Sequence, residues 1–113
     1  MRWFLRSKIH NATVTHARVD YVGSITIDEA LVEKSGMKEG EKVLVVDNTN
    51  GARVETYVIL GERDSGVIQT NGAAAHLIKA GDQVIIMGFE LAEDTIEAKN
   101  ILVDGDNKFS LYL

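Results

Sequence analysis

Few side chains in this sequence stand in spacings that support covalent or acid–base chemistry. The most suggestive is a dipeptide, Gly23-Ser24, inside the run YVGSITID at residues 21–28. Two explanations fit it. The pair can be a turn, with glycine supplying unusual backbone angles and serine capping them. Alternatively, the Gly23–Ser24 peptide bond is itself the reactive site, since a hydroxyl on Cβ can attack the carbonyl that precedes it. Other nucleophile patterns are missing. Ser24 lacks a G-x-S-x-G elbow, and no other serine stands in a nucleophile context. Neither a P-loop nor a G-x-G-x-x-G run occurs. Cysteine is absent, which removes disulfides, thiolate nucleophiles and thiolate metal ligands. His10, His16 and His76 form no HExxH or comparable spacing, so no metal is expected.

A second tier of residues could bind or orient a ligand. Lys8 and His10 lie one strand period apart and would face the same side, either toward a site or as a solvated edge. Arg53 offers a planar fork that matches a carboxylate, or else makes a surface ion pair. Thr56 and Tyr57 are neighbours, so a regular strand points them to opposite faces; Tyr57 could equally be a core aromatic. Asn71-Gly72-Ala73-Ala74-Ala75 has small side chains that would let backbone approach a ligand, or would make a tight turn into a helix.

These residues must be positioned by short elements. The near-alternating NATVTHARVDYV (11–22) reads as a strand, and SITI (24–27) as another. DEALVEKSG reads as a short helix. Asp28 is its N-cap, Ile27 and Val32 have the spacing of a hydrophobic staple, and Gly36 lies just past the end. VLVV (43–46) is a buried strand, Asn50-Gly51 a hairpin turn, and ARVETYVIL the returning strand. VIQT is a strand, and NGAAAHLI turns into a second short helix. QVIIMGFEL, NILV and KFSLYL complete the strands, the last two joined by the turn DGDN. Many short strands with two short helices suggest a closed or nearly closed barrel.

Composition bounds the rest. At 113 residues the chain is expected to be a single barrel domain, spanning 1–113. The net charge of −5 argues against a general nucleic-acid surface. The N-terminus MRWFLRSK has no apolar run resembling a signal peptide, and no stretch approaches a membrane span, so a cytoplasmic protein is expected.

Three blocks carry a family resemblance. KIHNATVTHARVDYVGSITID resembles the N-terminal part of the pyruvoyl-dependent aspartate 1-decarboxylases. VVDNTNGARVETYVI, with its N-G-x-R-x-x-T-Y, resembles their central hairpin. GVIQTNGAAAHLIKAGDQVIIMGF resembles their third block, N-G-A-A-A-H followed by G-D-x-V-I-I. The blocks stand in the family's order and cover most of residues 8–89. The resemblance implies a mainly β fold, a double-psi β-barrel, assembled as a homotetramer. It implies conversion of L-aspartate to β-alanine and CO2, the step that feeds pantothenate synthesis. It also implies self-cleavage into residues 1–23 and 24–113, and some family members need a helper protein for this maturation.

The implied cofactor is a pyruvoyl group made from Ser24, with neither pyridoxal phosphate nor a metal. Decarboxylation leaves electrons on carbon, and a ketone that forms a Schiff base with the substrate amine can accept them. In the implied route the Ser24 hydroxyl attacks the Gly23 carbonyl to give an ester. Elimination then yields dehydroalanine, which hydrolyses to pyruvoyl and ammonia. Gly23, lacking Cβ, is expected to permit strained angles there. The resemblance implies that Thr56 assists the cleavage and that Tyr57 protonates the carbanion. Arg53 anchors substrate, Lys8 meets the second carboxylate or supplies field, and His10 supports the site. Asn71 orients the Schiff base, with Gly72, Ala73, Ala74 and Ala75 approaching through backbone.

A second resemblance points elsewhere. GSITIDEALVEKSGMKEGEKVLVV is similar to the strand, helix, turn and strand of AbrB-type swapped-hairpin regulators, which bind DNA through basic surfaces. Five carboxylates against three lysines in this segment oppose that function. A third possibility is a barrel homologue that never cleaves and has no decarboxylase activity.

Overall fold

The computed structural model describes residues 1–113. Nine strands form: β1 (Arg2–Thr13), β2 (His16–Arg18), β3 (Ser24–Asp28), β4 (Lys42–Asp47), β5 (Arg53–Gly61), β6 (Ile68–Asn71), β7 (Gln83–Ala92), β8 (Lys99–Val103) and β9 (Phe109–Tyr112). One α-helix, α1 (Glu29–Ser35), follows β3, and a 3-10 helix (Gly72–His76) follows β6. Two expectations are corrected. The expected strand 11–22 is two strands, one beginning at Arg2 and ending at Thr13 and a second covering only His16–Arg18, so residues 19–23 lie outside any strand. The expected second helix is one 3-10 segment, whose Leu77 and Ile78 N–H groups both bond to the Ala74 carbonyl.

The strands pair in the order β2-β6-β3-β5-β4-β7-β1-β8-β9. Only Val14 and Thr15 separate β1 from β2, and they splice the two ends of this order together. Val14 N–H bonds to Asp82 O before β7, and Thr15 N–H bonds to Ile68 O on β6. The chain therefore passes from one neighbour to the other and closes a six-stranded barrel, with β8 and β9 extending the sheet outside it.

Two interlocked motifs make the barrel double-psi. β3 lies between β5, its parallel partner, and β6, its antiparallel partner, although β5 and β6 are consecutive in the chain. Likewise β6 lies between the consecutive strands β2 and β3, parallel to the first. Each half of the chain contributes two strands, a short helix and a further strand.

The barrel's interior follows from period-two alternation. Ile25 and Ile27 of β3, Val43 and Val45 of β4, Val58 of β5, and Val84 and Ile86 of β7 are all buried. Each such side chain contributes about 1.5–3 kcal/mol when taken from water. Asp28 caps α1 as expected, accepting from Ala30 N–H at 2.9 Å, and Gly36 ends the helix in the left-handed region. The buried Asp28 carboxylate does more than the sequence disclosed. It also accepts from Asp64 and Gly66 N–H, tying the β5–β6 connection to the helix start. No helix is long and apolar enough to cross a membrane.

Candidate functional site

Register alone brings four polar side chains onto one face. Ser24 pairs with Asn71 and Thr26 with Gln69 across the antiparallel β3–β6 ladder, while Ile25 and Ile27 point into the core. Directly opposed residues share a face, and every second residue along each strand does too. The side chains join accordingly. Asn71 Nδ2 donates to Ser24 Oγ at 2.9 Å and to Thr26 Oγ1 at 3.0 Å. Gln69 Nε2 donates to Asn71 Oδ1 at 2.7 Å. The Ser24 hydroxyl donates to the Val22 carbonyl at 3.1 Å. Ser24 is only 1% exposed, so its hydroxyl is held by protein on both sides.

A cavity of about 450 Å³ opens beside this group, lined by Asp20, Tyr21, Val22, Ser24, Thr26, Ile59 and Asn71. The bend before Ser24 forms one wall. It is braced by Arg18, which stacks 4.4 Å from the Tyr21 ring centroid and pairs with Asp20 at 3.6 Å. Val22 is 80% exposed at the tip.

Glycine is required on the other side of this bend from where sequence placed it. Gly23 lies outside the left-handed region, and a Cβ there would meet nothing within 4 Å. The expected backbone strain at Gly23 is therefore not observed. Gly72 has φ +74°, and a Cβ on it would stand 2.8 Å from Gly23 Cα and 3.1 Å from Tyr21 O. Gly72 is thus the residue that lets the 3-10 segment press against the Gly23 backbone. Ala75 is buried, Ala74 half-buried and Ala73 exposed, and none of the three lines the cavity.

The other expected site residues divide into two sets. β5 runs parallel to β3 with Ile25 opposite Val58, so the same register continued sets Tyr57 beside Ser24 and Thr56 beside Gly23. β5 is regular here: Thr56 pairs with Val43 and Tyr57 with Lys42. Thr56 is half-buried on the inner face and Tyr57 is 39% exposed on the outer face, as the alternation required. Arg53 is exposed on Tyr57's face, four residues earlier. Lys8 and His10 do share a face, with buried Ile9 between them, but neither lines the cavity beside Ser24: the chain reaches β3's side of the barrel only in β2, which β6 separates from β3, and His16 at its start lies eight and six residues beyond them. Within one chain they do not meet Ser24. His10 Nδ1 is buried there without a hydrogen-bond partner.

One pair escaped the sequence. Asp47 is fully buried at the end of β4, its Oδ1 accepting from Thr49 N–H at 2.7 Å and Asn50 N–H at 3.3 Å. Burial, and then a hydrogen bond shared with the Asp82 carboxyl, raise Asp47 above the ordinary carboxylate range. The same bond, followed by Lys79 N–H, lowers Asp82. Two carboxyls in contact share a proton more readily than they both ionise. Asn50 Nδ2 adds a bond to Leu77 O at 2.8 Å, so the turn before Arg53 is latched to the segment that follows the 3-10 helix. Acidic residues 35 positions apart gave no signal of this pairing.

Comparison with known proteins bears on the whole chain. A family model described as aspartate decarboxylase matches residues 1–110. The chain is 60% identical over 113 residues to a protein of Corynebacterium efficiens named aspartate 1-decarboxylase, covering 96% of this chain and 82% of that one. It is 52% identical over 107 residues to a Clostridium botulinum protein of the same name, covering 91% and 86%. A crystal structure of a computationally designed protein superposes with a TM-score of 0.47 at 21% identity, covering 77% of this chain and 99% of that one.

Proposed function

Because the chain belongs to the aspartate decarboxylase family, we propose that its catalytic group is made from its own Ser24 by cleavage of the Gly23–Ser24 bond. The reaction is α-decarboxylation of L-aspartate to β-alanine and CO2, which serves pantothenate synthesis. The DNA-binding alternative is not favoured: residues 24–47 form β3, α1 and β4 of the closed barrel, and the family match runs through them.

One observation carries the cleavage proposal. A buried serine hydroxyl stands beside a cavity, with its proton on Val22 O, an amide donor on its oxygen, and Gly72 pressed against the preceding glycine. Val22 O orients the hydroxyl, and Asn71 Nδ2 stabilises negative charge that develops on Oγ. Thr56, beside Gly23, serves the cleavage step. A pyruvoyl group at residue 24 would fit this setting: its ketone would come from Ser24 Cα, and Asn71 Nδ2 is an amide donor already directed at that residue. When formed, that group supplies the electron sink for decarboxylation. Tyr57 holds a phenolic proton on the neighbouring strand and delivers it to the substrate carbon, and Arg53 on the same face takes a substrate carboxylate.

Lys8 and His10 complete the site from another copy of the chain, because neither lines the cavity beside Ser24 in its own. Assembly as a homotetramer supplies that copy. The β1–β7 arm offers a surface for it: Trp3 pairs with Leu91 and Leu5 with Phe89, so these four share one face, and Trp3 is 68% exposed.

The cleavage is tested with Ser24→Ala by denaturing intact-mass spectrometry. A methyl can neither attack nor leave, so the variant is expected to fold, remain full-length and be inactive, while the unaltered chain splits into 1–23 and 24–113. A Ser24→Ala protein that still splits at this bond overturns the proposal.

A further inference from the structure

Resting on that cleavage, we propose that Gln69 is a positioning residue for it, fixing the direction of the hydrogen-bond chain that ends on Ser24. The chain of donors runs from Gln69 Nε2 to Asn71 Oδ1, from Asn71 Nδ2 to Ser24 Oγ, and from the Ser24 hydroxyl to Val22 O. Its far end has no choice of direction. A backbone carbonyl only accepts, and a serine has one hydroxyl proton. With that proton on Val22 O, Ser24 Oγ can only accept from Asn71, so Asn71 must present its NH2 group.

Nothing else near Asn71 enforces that orientation. An asparagine amide turned end for end has the same shape with donor and acceptor exchanged. Thr26 Oγ1 accepts from Asn71 Nδ2 now, but a hydroxyl would donate equally well to an oxygen in that place. Gln69 is the group that opposes the turn: with its NH2 on Asn71 Oδ1, turning Asn71 alone would set two NH2 groups against each other, so both amides would have to turn together. Thr26 and Gln69 are directly paired, which aims the Gln69 side chain at Asn71 from the same face.

The orientation matters to two bond changes. In the first, Oγ bonds to the Gly23 carbonyl carbon, the C–N bond breaks, and the Ser24 nitrogen takes the proton that Oγ loses. In the second, the Ser24 Cα proton leaves and the Cβ–Oγ bond breaks, its electron pair going to Oγ, which departs within the Gly23 carboxylate. Charge therefore builds on Oγ as it leaves, and an N–H already pointed there lowers the barrier. A turned amide would offer Oγ a lone pair instead.

The test follows cleavage of purified full-length protein by intact mass at fixed temperature, for the unaltered chain, Gln69→Met and Gln69→Glu. Gln69→Met removes the donor without adding charge and is expected to cleave about tenfold more slowly, between loss of a preference and loss of a donor. Gln69→Glu at pH 7 only accepts, so it turns Asn71 round and slows cleavage by roughly 10²–10³. Its rate should recover at least about tenfold as pH falls through the ordinary glutamate range near 4.3, where the protonated acid donates again. The unaltered chain should show no such recovery. A merely structural role would slow both variants without that inflection, and this result overturns the proposal. So does cleavage of Gln69→Met at the unaltered rate, which decides the matter even if Gln69→Glu fails to fold. An unaltered chain that never cleaves is a different failure: it removes the Ser24 proposal, and the role of Gln69 with it.

Discussion

Thr56 and Tyr57 are adjacent in sequence yet lie on opposite sides of β5, and the proposed roles divide between them, maturation to Thr56 and turnover to Tyr57. Tyr57 extends outward beside Ser24, where a neutral phenol can give up a proton at pH 7. Tyr57→Phe keeps the ring and is expected to cleave normally. Its β-alanine production per cleaved subunit should fall by roughly 10²–10⁴, the contribution of a positioned acid. Thr56→Ala should show the reverse: slow cleavage on a denaturing gel, with the cleaved fraction retaining much of its turnover. Near-normal turnover in cleaved Tyr57→Phe would assign the proton to water or another side chain. The sequence disclosed both residues and their opposed faces, because period-two alternation is a local property. The strain expected at Gly23 is the part not observed. GS drew attention to Gly23, whereas the crowding falls on Gly72, 49 positions later, which only the β3–β6 register reveals.

Elements were legible wherever the signal lies within a few residues. The Asp28 cap, the Gly36 stop and the Asn50-Gly51 turn all fall where expected. The N-terminal half of β1 was not legible, because its outer residues are neither cleanly polar nor cleanly apolar: Phe4 and Leu5 are half-buried and Trp3 is exposed. The latch between the two loops was hidden for another reason, since its acids meet only after β4 and β7 pair. It carries a pH dependence with a definite sign. Asp47 keeps its proton to higher pH in the fold than in the unfolded chain, where the value is about 3.9. Between those values the native state binds more protons, so stability falls as pH rises through that window. Asp82, lowered, acts oppositely, its contribution being lost as pH falls below about 3.9. Asp47→Asn places an amide donor opposite Asp82 at every pH and retains an oxygen for Thr49 and Asn50. Its Tm should exceed that of the unaltered chain by a few degrees at pH 7, and the difference should shrink toward pH 4. A lower Tm at pH 7 would mean that no proton is shared.

For the whole molecule, separation of Lys8 and His10 from Ser24 predicts complementation. Ser24→Ala and Lys8→Ala chains, each inactive alone, should regain activity when refolded together. If each site takes Ser24 from one chain and Lys8 from another, random mixing at equal amounts makes roughly a quarter of the sites whole. No regain on mixing would place both residues in one chain's site. Barrel closure through Val14 and Thr15 has a further consequence, since residues 1–23 contain all of β1 and β2. The proposed cut at Gly23 would therefore free the stretch, β1 with β2, that joins the two ends of the sheet. It would stay by non-covalent contacts alone: its ladders to β7, β8 and β6, its bonds to Asn107, and the buried side chains of Ile9, Ala12 and Val14. The uncut chain refolds as a single molecule, at a rate indifferent to dilution. The cut protein, once melted, must recapture a loose 23-residue peptide, and that search slows with dilution. On the proposed cleavage, maturation thus divides the life of each molecule: before the cut its barrel folds alone, and afterwards every unfolding must be followed by a search for the lost peptide.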